Sequence, residues 1–138
     1  MFPDKIYKPK IEIEIVPRYN ETDQGGIVHH CTYPVYFEIA RTELLRANGM
    51  AYAELEKNGC RMVVAELNVK YRSPAFYDEK LTMEVECTKV TRARIEHSYR
   101  LYRAETNQTV CEGNTILACI DEAGRPRQVP AFLHVDEQ

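Results

Sequence analysis

"RYNETDQGGIVHHCTYPVYFEIARTE", residues 18–43, joins a polar, glycine-bearing turn to an apolar stripe. From Tyr33 the apolar residues fall at 33, 36, 37, 40, 44 and 47, with Glu38, Arg41, Glu43 and Arg46 between them. That spacing predicts an amphipathic helix of about four turns with one face in need of cover. Asn48-Gly49 supplies a left-handed stop. Pro34 is tolerated only in the first turn, where its missing N–H does no harm. It lies four residues after His30, so a helix opening at His30 calls for a tighter turn at its start. A second short helical segment, residues 51–59, also ends on Asn-Gly.

Working outward, "IEIEIV" (11–16) alternates strictly, which is the period of a strand with one buried face. After Gly59 the chain reads as four more strands. In "RMVVAELNVKYRS" (61–73), Val63, Ala65, Leu67, Val69 and Tyr71 fall in phase, and Pro74 ends the run. In "KLTMEVECTKV" (80–90), Leu81, Met83, Val85 and Cys87 alternate with polar residues. "RIEHSYRLYRAE" (94–105) and "TVCEGNTILACID" (109–121) follow, joined by a short polar link suited to a hairpin. The tail from Glu122 reads as irregular. Sequential strands with short links form antiparallel sheets. The expected class is therefore α+β, with a five-stranded antiparallel sheet curled around one long central helix.

A chain of 138 residues suits one domain, residues 1–138, with one core. A net charge of −3 argues against a nucleic-acid binder that relies on a positive field. No run of about 18 apolar residues exists, so no membrane span is expected. The five cysteines are odd in number and form no CxxC pair. Reduced thiols in a cytoplasmic protein are the expectation.

The turn before the helix holds the candidate chemistry. Asp23 fits a plain β-turn. Yet a carboxylate just ahead of a helix sits where free amides and the helix dipole can polarise a carbonyl, as acyl transfer needs. Gly25 and Gly26 allow positive φ and close approach of a ligand to the backbone. His29 and His30 invite a zinc reading, but adjacent side chains diverge, and His97 and His134 are distant in sequence. No metal site is expected. His30 is placed to offer its amide to a substrate, and Glu38 to reach the same pocket as a second acid. Cys31 has only the helix start to activate it as a nucleophile, and no G-x-S-x-G elbow is present. Tyr33, Tyr36, Phe37 and Tyr52 suit an aromatic pocket and core packing equally. The basic clusters at 70–72, 91–94 and 124–127 are solvated surface taken singly, and phosphate receivers taken together.

"RYNETDQGGIVHHCTYPVYFEIARTELLR" resembles the N-terminal signature of the 4-hydroxybenzoyl-CoA thioesterase-like branch of the hotdog-fold acyl-CoA thioesterases. "YRSPA" (71–75) and "GRPRQVP" (124–130) resemble two further segments of that family, so the likeness runs over residues 10–130. It implies a hotdog fold, homodimers often paired into homotetramers, and hydrolysis of a small-molecule acyl-CoA with no cofactor beyond the substrate's own CoA. The catalytic aspartate of the family falls on Asp23, its turn glycine on Gly26, and its carbonyl-polarising amide on His30. Tyr33, Glu38, Arg72, Ser73, Arg92 and Arg94 become candidates for substrate binding. A hotdog hydratase or dehydratase, and a non-catalytic acyl-CoA binder, are the rival readings.

Overall fold

The computed structural model describes residues 8–130 and 133; His134 lies outside them, as do residues 131, 132 and 135–138. The elements run β1 (Lys10–Ile15), α1 (Tyr33–Ala47), α2 (Tyr52–Lys57), β2 (Arg61–Tyr71), β3 (Leu81–Val90), β4 (Arg94–Arg103) and β5 (Gln108–Ile120). They form one antiparallel sheet in the order β1-β3-β4-β5-β2.

The apolar stripe of α1 behaves as its spacing predicts. Tyr33, Tyr36, Phe37, Ala40 and Leu44 are buried, each large one worth about 1.5–3 kcal/mol of transfer free energy. They lie on the inward side chains of the sheet, namely Leu81, Met83, Val85 and Cys87 of β3 with Ile95, Tyr99 and Leu101 of β4. Phe37 stacks on Tyr99 at 4.1 Å between ring centroids. Asn48 carries the end of α1, and Gly49 takes φ +79°. A 3-10 turn over His30–Thr32 precedes α1, with Pro34 in the first helical turn. The tighter start required by Pro34 is therefore what the chain adopts.

β2 departs from the expected pattern. A bulge between Val64 and Glu66 shifts its register on β5. Before it, Met62 and Val64 oppose Cys119 and Leu117; after it, Leu67, Val69 and Tyr71 oppose Thr115, Gly113 and Cys111. Directly opposed residues share a face, so Val63 points away from α1 while Leu67 points toward it. The single in-phase face read from the sequence is thus two half-faces joined by one extra residue, Ala65. β2 is also an edge strand and exposed along most of its length.

Gly113 marks the tightest approach in the sheet. A Cβ there would stand 2.2 Å from the Asn68 carbonyl oxygen and 3.0 Å from the Phe37 ring. Only glycine lets β5 pass between its neighbour strand and the helix at this point. All five cysteines are free, with Cys60 and Cys119 in buried contact at 2.7 Å between sulfurs. Among the described residues, no helix is long and apolar enough to cross a membrane.

Candidate active site

Residues 21–29 form a closed loop. His29 N–H donates to the Glu21 carbonyl at 2.8 Å, Asp23 N–H to that of Ile27 at 2.8 Å, and Val28 N–H to that of Ala75 at 2.8 Å. Within it Asp23 makes an Asx turn: Oδ1 accepts from Gly25 N–H at 2.8 Å and Ile27 N–H at 3.4 Å. Oδ2 has no hydrogen-bond partner among the described residues, and the side chain is exposed. Gly26 takes φ +83° with open space where a side chain would project. The local Asp-Gln-Gly-Gly sequence accounts for this shape, since only glycine adopts that φ without strain.

The loop delivers the chain into the first turn of the helix. His30 opens the 3-10 turn, so its N–H is one of the donors that no helical carbonyl can reach. The His30 ring is exposed and stacks on His29 at 4.4 Å. His29 is occupied locally: its Nδ1 accepts from Cys31 N–H at 3.3 Å and lies 2.8 Å from Cys31 Sγ. The Tyr71 hydroxyl donates to the His30 carbonyl at 3.0 Å, tying the end of β2 to this turn. Among the described residues no three His, Cys, Asp or Glu side chains gather as a metal site.

Beneath the turn, aromatic residues form the floor. Tyr33 is buried against Tyr36 and Tyr71, with ring centroids 6.0 and 5.6 Å away. Burial, and then nearby Cys111, push its phenol up to about 12. Tyr36 donates to Glu21 Oε1 at 2.9 Å, and burial followed by that carboxylate raises its pKa. Glu21 Oε1 also accepts from Arg18 N–H at 2.8 Å. Tyr33, Tyr36 and Phe37 are therefore core residues, whereas Tyr52 lines a cavity.

The other candidates separate. Arg72 pairs with Glu112 at 2.6 Å beside the site end of β2. Ser73 donates to the Thr109 carbonyl at 2.8 Å and accepts from Arg103, which also grips Glu79 and the Pro74 carbonyl. Arg92 and Arg94 lie in and after the β3–β4 turn, at the opposite end of the sheet. Ten residues of β4 separate that end from Arg103, about 30 Å of strand. Within one chain they do not join Asp23. Arg125 is exposed, and Arg127 is committed to the Gly59 carbonyl at 2.8 Å.

Glu38 borders a feature that lay outside the sequence reading. A cavity of about 250 Å³ lies between α1 and the sheet, bordered by Glu38, Arg41 and Thr42 of α1, Val64 of β2 and His97 of β4. A second hollow of about 170 Å³ shares Glu38, Arg41 and Val64 and extends to Pro34. Neither touches Asp23 or His30. Arg41 Nη1 donates to the Tyr99 hydroxyl at 3.1 Å, which is 2.6 Å from Thr115 Oγ1. His97 Nδ1 is buried without a partner among the described residues. Burial, and then the Arg41 charge, hold the imidazole down to about 3. The available signal was a histidine in the inward phase of β4, between Ile95 and Tyr99.

Comparison with known proteins agrees with this frame. The thioesterase-like superfamily profile matches residues 17–135. Over 116 residues the chain is 32% identical to the acyl-CoA thioester hydrolase YbgC of Escherichia coli O157:H7, covering 83% of this chain and 86% of that protein. It is 35% identical over 123 residues to the acyl-CoA thioesterase YbgC of Haemophilus influenzae, covering 84% and 88%. Among solved structures, a DHNA-CoA thioesterase from Staphylococcus aureus superposes with a TM-score of 0.82 at 33% identity, covering 86% of this chain and 80% of that one. The five-stranded sheet, its long helix and these likenesses lead to one assignment: the chain belongs to the thioesterase-like superfamily and is a hotdog-fold thioester hydrolase.

Proposed function

We propose that this chain is an acyl-CoA thioesterase that releases a free acid and CoA, with no cofactor and no metal. The observation that carries this reading is the closed loop that fixes Asp23 Oδ1 on two amides, leaves Oδ2 available, and runs directly into the first turn of the helix. In this reading the thioester carbonyl lies against the His30 amide, at the positive end of the helix dipole. Asp23 acts as base on a water or as nucleophile through a mixed anhydride. Either way the C–S bond breaks and CoA leaves as its thiol. Gly26 keeps the approach clear of side-chain atoms.

The working unit in this proposal is a homodimer. β2 is an unpaired edge, and Val64 and Leu67 on its helix-facing side stand 47–50% exposed beside the exposed Val35 of α1. A second copy covers this apolar face and removes the open edge. Arg72, near the Tyr71–His30 contact, meets the CoA of its own chain; Arg92 and Arg94 serve the nucleotide only from another subunit.

Release of free thiol from a panel of acyl-CoAs, followed with a thiol reagent, tests the reading. Oxyanion-type donors are worth about 3–4 kcal/mol, and Asp23→Asn is expected to lower turnover at least as far while the oligomer stays intact in sedimentation. Most of the activity surviving in Asp23→Asn would remove that carboxylate from the mechanism. A hydratase would consume an unsaturated thioester without releasing thiol.

A further inference from the structure

The cavity under α1 has an unusual lining for the interior of a small α+β fold. Most of its surface is aliphatic, from Leu45, Met62, Val64 and Leu117 among others. Set into it are the Arg41 side chain and the ring of His97. Arg41 spends one donor on Tyr99 and has no carboxylate within ion-pair distance among the described residues. His97 is buried, and its Nδ1 has no partner among the described residues. Buried polar atoms in folded proteins are almost always satisfied, so an orphan on a ring that borders a hollow points to a missing partner. Burial, and then the Arg41 charge, keep the imidazole neutral, so one ring nitrogen carries a proton and can donate. Beside a guanidinium, the group that fits both is an oxygen acceptor.

The position of the hollow decides what could bring that oxygen. The two hollows share Glu38, Arg41 and Val64, so they form one groove running along α1 from Pro34 toward Leu45. Its near end is one turn from the His30 amide. Arg41 lies eleven positions after His30, about 16 Å along a helix axis. A compact acyl group held at the His30 amide does not span that length; an extended chain does.

We propose that this groove is the acyl subsite, and that Arg41 and His97 select extended acyl chains carrying an oxygen, carboxylate or hydroxyl, at the end remote from the thioester. The assignment rests on the acyl-CoA thioesterase reading and adds the substrate class to it. The aliphatic wall takes the methylene chain, and the terminal oxygen accepts from the guanidinium and the imidazole N–H. Glu38 stands at the rim of both hollows, placed to accept from a terminal hydroxyl.

The test compares kcat/KM for CoA thioesters of matched length, six to sixteen carbons, ending in methyl, hydroxyl or carboxylate. A preference of about tenfold or more for an oxygenated end is expected in the longer members. It should collapse toward one in Arg41→Met and in His97→Phe, since each removes a donor while filling the same space. Preference for the carboxylate assigns an anion partner to Arg41, and preference for the hydroxyl alone assigns a neutral oxygen shared with Glu38. Equal or better hydrolysis of the methyl-ended chains, with ratios unmoved in both variants, overturns the proposal.

Non-hydrolysable thioether analogues of the same chains supply a readout independent of turnover. Their binding should shift the 15N signals of the His97 ring, and only when the terminal oxygen is present. Unchanged imidazole signals with every analogue mean that the hollow holds water alone, and the subsite is refuted even if hydrolysis stands. No thiol release from any substrate defeats the underlying reading instead, and the ring signals still decide whether the groove binds.

Discussion

Replacing Gly113 with alanine tests how the sheet grips its helix. The added methyl carbon would sit 2.2 Å from the Asn68 backbone oxygen, and its other neighbours are Phe37 ring atoms at 3.0 and 3.1 Å. Ordinary contact begins near 3.4 Å, so β2 must retreat by about 1 Å. Overpacking of this kind costs about 1–3 kcal/mol. Disturbing the Val69–Gly113 pairing weakens about two backbone hydrogen bonds at roughly 1 kcal/mol each. The expected loss is about 3 kcal/mol, which in urea moves the unfolding midpoint down by about 1.5 M at a slope near 2 kcal/mol/M. Gly26→Ala is the control: nothing lies within 4 Å of its new carbon, and only the +83° backbone resists, at about 1–2 kcal/mol. A Gly113→Ala midpoint within about 0.3 M of the parent, at equal slope, would falsify the claim that β5 is wedged between β2 and Phe37.

Three further outcomes follow from the same contacts. His97 titrates near 6.5 when unfolded and about 3 when folded, so the folded state binds fewer protons in between. Its contribution to stability is complete above pH 6.5 and falls by at most about 1.4 kcal/mol per pH unit as pH drops toward 3; His97→Phe should flatten that part of a denaturation-versus-pH curve. Tyr36→Phe removes the hydroxyl bond to the Glu21 carboxylate and should cost about 1.5–3 kcal/mol in chemical denaturation, with turnover lowered because Glu21 also holds His29. Arg103→Met frees Glu79, Ser73 and the Pro74 carbonyl together, and limited proteolysis should then cut within residues 74–79 before any strand.

What the sequence disclosed depended on whether one local period carried the information. The α1 stripe and the inward phases of β3 and β4 were legible because each is set by spacing alone, and Asn-Gly announced both helix ends. β2 was misread because a bulge is a relation between two strands, and no period within 61–71 reveals that Ala65 has no partner. The Asp23 turn was legible in its residue types, which permit few shapes. The Arg41–His97 juxtaposition was not, since Arg41 falls between the residues of the apolar stripe, where helical spacing names no partner, and its hydrogen bond reaches strand β4 at Tyr99, 58 residues away.

Ala65 gives that misreading a practical edge. Because Ala65 is the one surplus residue in β2, deleting its codon would be gentler than losing any neighbour. The shortened strand would alternate without interruption and keep Met62, Val64, Leu67 and Val69 all turned inward. A one-residue gap at any other position of the strand would instead leave the bulge in place and turn one half of that face outward.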